Sequence, residues 1–152
     1  NQREFFSVPK KWRKTLFDKR SLTAQLIALS DGNFSVSVLW QGWRKMSQQE
    51  ALLLNCKGKQ RVVWCRDVAL NINGRPIVYA RTCIPKSTLT GKERQLKTLG
   101  NKPLGGFLFS HPNMTRGAIN AYRIHQNDLS LAWARSSVFS LNNKPVLVKS
   151  WL

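Results

Sequence analysis

Acidic residues are scarce in this chain of 152 residues, which has 7 Asp and Glu against 25 Lys and Arg, for a formal net charge of +18. The scarcity argues against an acidic, metal-chelating surface and against chemistry that needs paired carboxylates. An excess of positive charge this large favours an anionic partner, such as a nucleic acid, a membrane headgroup or a small acid.

Cysteine and histidine are also few. The three cysteines, Cys56, Cys65 and Cys83, cannot form a closed set of disulfides, and the odd count indicates reduced thiols in a cytosolic protein. The sequence has no C-x-x-C motif, and its two histidines, His111 and His125, are far apart along the chain. A zinc site is therefore not expected.

Long apolar runs, internal repeats, linkers rich in Pro, Gly or Ser, and a basic–apolar–small signal peptide are not found in the sequence. A bilayer-spanning helix needs about 20 consecutive apolar residues, and a secretory signal needs a recognisable apolar segment near the start. We therefore expect one cytoplasmic domain over residues 1–152, a length that can bury a sizeable core.

Helix signals occur at four places along the chain. They predict a helix over 22–29 capped by Ser21, a short helix over 51–54 with a capping box of Ser47 and Glu50, a helix ending at Leu99 with a capping box of Thr90 and Glu93, and a helix over 103–109 that begins at Pro103.

Alternating apolar residues and two hairpin turns predict the strands. Residues 61–70 and 75–84 pair through Asn73-Gly74, and residues 131–141 and 144–152 pair through Asn142-Asn143. Together with an alternating strand from Phe34, these segments indicate a sheet of about six strands, mostly connected by hairpins, with helices around them. This pattern indicates an α+β fold with a six-stranded antiparallel sheet.

One arginine interrupts an apolar row on the first strand of the central hairpin. If Asn73-Gly74 is a two-residue loop, the numbers of cross-strand partners sum to 147, which places Arg66 opposite Arg81 on the same face. Two facing guanidinium groups on a buried face need an anion or a carboxylate beside them. Since the chain has only seven acids, a bound anion is favoured, and a structural ion pair is the alternative.

Two predicted helix starts add further anion contacts. Leu22 and Leu104 follow the expected caps, so their backbone amides lie in first turns without intrahelical partners. Such amides stabilise carboxylates. Two arginines together with one or two of these amides would suit a small dicarboxylate.

Six motifs lie in order along the chain: Trp64-Cys65-Arg66-Asp67, Ala80-Arg81-Thr82-Cys83-Ile84-Pro85, Ser87-Thr88-Leu89-Thr90-Gly91, Leu99-Gly100-Asn101-Lys102-Pro103-Leu104-Gly105-Gly106-Phe107-Leu108-Phe109, Met114-Thr115-Arg116 and Asn143-Lys144-Pro145-Val146-Leu147. Together they resemble the motifs of the chorismate pyruvate-lyase family, over a stretch from about residue 20 to the C-terminus. The resemblance implies a six-stranded antiparallel sheet with helices packed on it around a buried ligand site.

The resemblance also implies a function. The expected activity is that of a carbon–oxygen lyase that converts chorismate to 4-hydroxybenzoate and pyruvate without a cofactor, as the first step of ubiquinone biosynthesis. The expected protein is a cytoplasmic monomer whose partners are this substrate and product.

The family's site residues carry over to five positions of this sequence. Its key arginine falls on Arg66, and its second arginine falls on Arg81. The two main-chain amides that hold the product fall on Leu22, where the family can carry methionine, and on Leu104. The fifth position, near the hydroxyl end of the product, carries a glutamate in the family and Ser150 here.

The replacement by serine affects the expected catalysis. A partner sum of 285 in the second hairpin places Ser150 opposite Arg135, so we expect both near the hydroxyl end of the ligand. Serine cannot act as a base without a partner, whereas general-base help is typically worth 10²–10⁴-fold. We therefore predict Arg66 and Ser150 as catalytic residues, with Leu22, Arg66, Arg81, Leu104 and Arg135 binding the substrate.

Two other functions are compatible with the sequence. The serine at position 150 would suit a degenerate domain that binds chorismate or a small aromatic acid without turnover. The basic run at residues 10–14 would suit nucleic acid or a membrane surface, although a solvated helix face is the favoured explanation. Nucleic-acid binding is therefore not expected, and peripheral membrane contact is left open. His111 precedes Pro112 in a predicted loop, so we expect it at the surface.

Overall fold

A computed structural model of the chain describes residues 22–56, 61–125 and 131–151. Its helices are α1 (Leu22–Leu29), α2 (Gln48–Leu53) and α3 (Leu104–Ser110), with 3-10 segments at Lys86–Thr88 and Gly91–Thr98. Its strands are β1 (Phe34–Lys45), β2 (Val62–Ile72), β3 (Arg75–Pro85), β4 (Met114–Arg116), β5 (Asn120–His125), β6 (Leu131–Leu141) and β7 (Lys144–Trp151). The predicted cap Ser21 and the basic run at 10–14 lie outside the described residues.

The strands form one antiparallel sheet in the order β1-β2-β3-β7-β6-β4, and β5 also pairs with β6. The predicted α+β fold with an antiparallel sheet is confirmed. The described residues hold seven strands rather than six, because residues 114–125 form two short strands along one edge of β6.

Both hairpin turns occur where the sequence predicts them. Asn73 and Gly74 have φ values of 53° and 75°, and Asn142 and Asn143 have 52° and 65°. Positive φ at both central residues gives the turn the twist that matches the strands it joins. Asn and Gly tolerate this conformation better than other residues, so these two turns fix which strands are neighbours.

The two faces of the sheet are covered differently. On one face, apolar side chains of α1 and α3 pack on β2, β3, β6 and β7 in two clusters around Val68 and Ile84. On the other face, α2 packs on Val63, Cys65 and Cys83. Each fully buried Val, Leu, Ile, Phe or Met side chain stabilises the folded state by about 1.5–3 kcal/mol. None of the described helices reaches the length and apolar character of a membrane span.

The capping box of α2 forms as predicted. Ser47 Oγ accepts a hydrogen bond from the amide of Glu50, and the Glu50 carboxylate accepts one from the amide of Ser47. Burial would raise the pKa of Glu50, but hydrogen bonds from Arg44 and Ser47 outweigh it and hold the pKa well below its usual range. Glu50 thus completes the capping box and also forms an ion pair with Arg44 of β1.

The second predicted capping box is wrong. Residues 91–98 form a 3-10 segment, and the Thr90 side chain makes no cap hydrogen bond. Glu93 is instead buried and lies 3.2 Å from Nε2 of His111 and 3.3 Å from Nζ of Lys144. Glu93 is therefore held by residues distant in sequence rather than by its own helix start.

The expected surface position of His111 is also wrong. Its side chain is only 8% exposed, because it packs against the buried Glu93 carboxylate. The helix predicted from Pro103 begins one residue later, with Pro103 as its N-cap.

Candidate active site

A cavity lies between helices α1 and α3 and the face of the sheet on which they pack. Together with its opening to solvent, it contains about 670 Å³ of space not filled by atoms. The described residues that line it are Leu22, Thr23, Val36, Arg66, Val68, Leu70, Ala80, Thr82, Pro103, Leu104, Gly105, Leu108, Phe109, Arg116, Arg135, Ser137, Phe139, Val148 and Ser150.

Two rows of cross-strand neighbours form the floor of this cavity. One row runs from β2 to β6 through Arg66, Thr82, Val148 and Ser137, and the next runs through Val68, Ala80, Ser150 and Arg135. The first row has Arg66 and Ser137 at its ends, whereas the second begins at the apolar Val68 and ends with Ser150 and Arg135. The floor suits a flat apolar ring with polar groups at both edges.

Arg66 is the most buried cation of the cavity, with 2% of the residue exposed. Its Nη2 donates to the carbonyl oxygens of Gly100 and Lys102 at 3.0 and 2.6 Å. Its Nε is buried without a hydrogen-bond partner, and no described carboxylate pairs with the side chain. Burial lowers the pKa of Arg66. A guanidinium with an unsatisfied buried donor favours an anion beside it.

The loop after the second 3-10 segment holds this arginine in place. Gly100 has a φ of 59°, a conformation that costs other residues about 1–2 kcal/mol. The turn that it permits directs two carbonyl oxygens at the Arg66 guanidinium. The glycine of the family motif thus positions the arginine without contributing a side chain.

The predicted pairing of Arg66 with Arg81 is wrong. A register shift after Leu70 leaves Ile77 as an extra residue in β3, next to Pro76, and the partner numbers then sum to 148. Proline cannot donate a ladder hydrogen bond, so a bulge beside it is an expected irregularity. Arg66 therefore faces Thr82.

Arg81 lies on the opposite face of the sheet from the cavity, across from Asp67. Its Nε and Nη2 donate to the two carboxylate oxygens of Asp67, both at 2.8 Å. The hydrogen bond with Asp67 raises the pKa of Arg81. Its side chain is 40% exposed. This arginine is neutralised by an acid and is not among the described residues of the cavity lining.

The predicted pairing of Ser150 with Arg135 is confirmed, because the β6–β7 hairpin has no register shift. Both residues are buried and both line the cavity. They lie on the far side of the floor from Arg66, two and three strands away. Leu22 and Leu104, the first residues of α1 and α3, line the cavity from above. Of the predicted site residues, the structure thus brings together all except Arg81.

Sequence reasoning missed Arg116 and Ser137. Arg116 lies on β4 opposite Phe139, its Nε donates to Ser137 Oγ at 3.2 Å, and its guanidinium carbon lies 4.8 Å from the centre of the Phe139 ring. Residues 135, 137 and 139 alternate on one face of β6, a period that could have identified Ser137. Nothing local predicts that β4 pairs with β6, so the signal for Arg116 in the sequence was its place in the motif Met114-Thr115-Arg116.

The charges of the cavity are one-sided. Its described lining has three arginines and no acid, and the buried acids Glu50 and Glu93 are paired elsewhere. No group of three His, Cys, Asp or Glu side chains that could hold a metal occurs in the part of the chain that the structure describes. A ligand with an apolar ring and one or two carboxylates matches this lining best.

Comparison with known sequences identifies a family. Residues 2–151 match the sequence model of the family described as chorismate lyase. Proteins described as probable chorismate pyruvate-lyases are 37% identical in Psychromonas ingrahamii, over 88% of this chain and 77% of the relative, and 33% identical in Methylococcus capsulatus, over 88% of each. One from Pseudomonas aeruginosa is 36% identical, over 88% of this chain and 78% of the relative.

Solved structures support the fold at much lower identity. The C-terminal domain of the histidine utilization repressor from Pseudomonas syringae pv. tomato is 14% identical and superposes with a TM-score of 0.60, covering 78% of this chain and 89% of that chain. The effector domain of PhnF from Mycobacterium smegmatis is 9% identical with a TM-score of 0.53, covering 81% and 86%. At such identities the likeness concerns the fold alone.

Proposed function

The chain belongs to the chorismate lyase family, and we propose that it converts chorismate to 4-hydroxybenzoate and pyruvate without a cofactor. The observation that carries the proposal is the buried Arg66, whose Nε has no partner and which faces a cavity that has no acid in its described lining. A carboxylate on a six-membered ring would supply the missing acceptor and the missing negative charge.

The contacts of the ring carboxylate follow from the lining. Arg66 provides the positive charge from the floor, and the first-turn amides of Leu22 and Leu104 provide neutral donors from above. The opposite edge of the ring, which bears the hydroxyl group, then lies towards Ser150 and Arg135. The apolar middle of the floor contacts the ring itself.

The reaction is an elimination. The bond between the ring and the ether oxygen breaks, and its electron pair leaves with enolpyruvate, which becomes pyruvate on protonation. The ring carbon that bears the hydroxyl loses its hydrogen as a proton, and that electron pair completes the aromatic ring. Negative charge develops on the departing oxygen, so fixed guanidinium groups in a cavity of low polarity stabilise the transition state. Holding the ether side chain in one geometry lowers the barrier further.

Ser150 has a limited part in this elimination. Its hydroxyl can donate one hydrogen bond and accept two, so it can orient the hydroxyl end of the ring, but it is a poor base. Loss of general-base help slows such a reaction by about 10²–10⁴-fold without stopping it. Aromatisation of the ring supplies part of the driving force that a stronger base would otherwise have to provide.

Ser150 also favours a second candidate function. A member of the family that binds chorismate or a small aromatic acid without turnover would keep Arg66 and the cavity, and would need no group that removes a proton. The two functions differ in turnover and not in the contacts of the ring carboxylate.

Product formation separates the two candidates. Purified protein is incubated with chorismate, 4-hydroxybenzoate is followed by absorbance, and pyruvate is measured in the same sample, with a protein-free sample as the control. Equal amounts of the two products, formed in proportion to the protein, support the lyase. Product from Ser150→Glu but not from the native chain supports the binding domain. No product and no binding of either compound overturns both.

The family resemblance further supports a place at the first step of ubiquinone biosynthesis and a monomer in the cytoplasm. An enzyme with this role would restore growth without added 4-hydroxybenzoate to a bacterial strain that lacks its own chorismate lyase. Failure of an expressed, folded chain to do so would contradict the role.

A further inference from the structure

The proposed substrate and its aromatic product differ by one carboxylate. Chorismate carries one carboxylate on the ring and a second on the enolpyruvyl ether, whereas 4-hydroxybenzoate keeps only the first. A contact made equally in the bound substrate and in the transition state lowers KM without raising kcat, whereas a contact that strengthens as charge develops raises kcat. A cation that contacts only the ether side chain binds the substrate and not the aromatic product, so it distinguishes the two ligands.

The guanidinium groups of the cavity lie on two sides of its floor. Arg66 is on β2, and its row ends at Ser137 on β6, three strands away. At about 4.8 Å per strand, the two strands are roughly 14 Å apart. Arg116 reaches the cavity from beyond Ser137, since its Nε donates to Ser137 Oγ. A ligand between them can therefore be held from opposite sides.

Arg116 contacts Ser137 and Phe139, two described residues of β6. Its guanidinium stacks on Phe139, with 4.8 Å between the guanidinium carbon and the ring centre. The Phe139 ring meets the Phe109 ring edge-on at 5.9 Å, and Phe109 is 40% exposed. The Arg116 side of the cavity is thus next to an exposed side chain, whereas Arg66 is 2% exposed.

We propose that Arg116 binds the carboxylate of the enolpyruvyl group while Arg66 binds the ring carboxylate. This assignment rests on the proposed function. Guanidinium matches a carboxylate in charge and in planar geometry. When the ether bond breaks, the same guanidinium lies beside the departing group and balances its negative charge. Pyruvate then leaves on this side, beside the exposed Phe109.

Arg135 is a less suitable group for this carboxylate. It lies in the second row of the floor, opposite Ser150, where the hydroxyl edge of the ring is placed. It is also buried, whereas Arg116 is half-buried beside the exposed Phe109. Arg116 therefore selects the dicarboxylate over the monocarboxylate product.

The test compares the two ligands in matched variants. Arg116→Gln should raise the KM for chorismate at least tenfold and should change the Kd for 4-hydroxybenzoate less than threefold. Arg66→Gln should weaken the affinity for both compounds. Arg75→Gln, which removes an exposed charge at the start of β3, controls for the loss of one positive charge and should change neither.

Two further variants keep the assignment testable if Arg116→Gln does not fold. Ser137→Ala removes the oxygen that orients Arg116, and it should raise the KM for chorismate more than the Kd for 4-hydroxybenzoate. Arg116→Lys keeps the charge but loses the planar guanidinium, so it should weaken chorismate binding less than Arg116→Gln does. If the native chain binds chorismate without turnover, the lyase is wrong but calorimetric Kd values replace KM in the same comparison. Equal effects on both ligands, or none on chorismate, overturn the assignment.

Discussion

Replacing Arg81 tests the structure against the family resemblance, because the resemblance makes this residue a substrate contact and the structure makes it the partner of Asp67. Arg81→Ala removes a bidentate pair with two hydrogen bonds of 2.8 Å. The arginine side chain is 40% exposed and the aspartate 22%, so the pair is screened by solvent. Exposed pairs of this kind contribute about 0.2–1 kcal/mol, and the bidentate geometry favours the upper end.

The expected result is a small loss of stability with no loss of binding. A change of about 1 kcal/mol lowers Tm by roughly 2–4 °C in a protein of this length, measured by thermal denaturation. The Kd for 4-hydroxybenzoate should change less than about twofold, since Arg81 lies on the face of the sheet away from the cavity. Asp67→Ala should lower Tm by a similar amount, and the double variant should lower it by less than the sum. A tenfold loss of affinity on Arg81→Ala would refute the register.

Two other predictions concern stability. The pKa of Glu93 is lowered because hydrogen bonds with its own backbone amide, His111 and Lys144 outweigh burial. Its stabilising contribution is therefore present above its unfolded pKa of about 4.3 and is lost as pH falls through the lower folded pKa. Thermal denaturation from pH 7 to pH 3 should show a smaller loss in Glu93→Gln than in the native chain, and an equal loss would contradict this. Gly100→Ala should lower the free energy of unfolding, measured by urea denaturation, by about 1–2 kcal/mol, because its φ is 59° and no atom crowds the new methyl group. Gly106→Ala is the control, since Gly106 lies inside α3 and is equally uncrowded. This control should be neutral or should raise the free energy of unfolding by up to about 1 kcal/mol.

Local signals predicted the hairpins and their turns. Asn73-Gly74 and Asn142-Asn143 specify tight turns through backbone conformations that few residues tolerate. For the second hairpin, the turn also gave the register, and with it the pairing of Ser150 and Arg135. These features depend only on residues near each other in the chain, so the sequence alone was enough.

Features that depend on distant residues were not predictable in this way. The register of the first hairpin changes at a bulge beside Pro76, and no rule based on the turn says where an extra residue is accommodated. Glu93 has the spacing of a capping box, yet His111 and Lys144 compete successfully for its carboxylate. Arg116 enters the cavity through a pairing of β4 with β6 that has no local signal.

Four of the five positions that the resemblance assigns to the site line the cavity, and Arg81 does not. Arg66, Leu22, Leu104 and Ser150 all line the cavity, as expected for residues aligned by motif. The same alignment assigned Arg81 to the site, but Arg81 lies on the face of the sheet away from the cavity. An alignment matches positions along the chain, whereas the direction of a side chain depends on the local register of its strand.

The most direct measurement is the affinity of the native chain and of Arg66→Gln for 4-hydroxybenzoate, by titration calorimetry at one salt concentration. The substitution removes the charge on one side of a buried ion pair, which typically costs about 2–5 kcal/mol, or roughly 30-fold to 5,000-fold in Kd. A loss within that range, with the circular dichroism spectrum unchanged, is the predicted result. A loss of less than threefold in a folded variant would contradict the claim that the buried guanidinium holds the carboxylate.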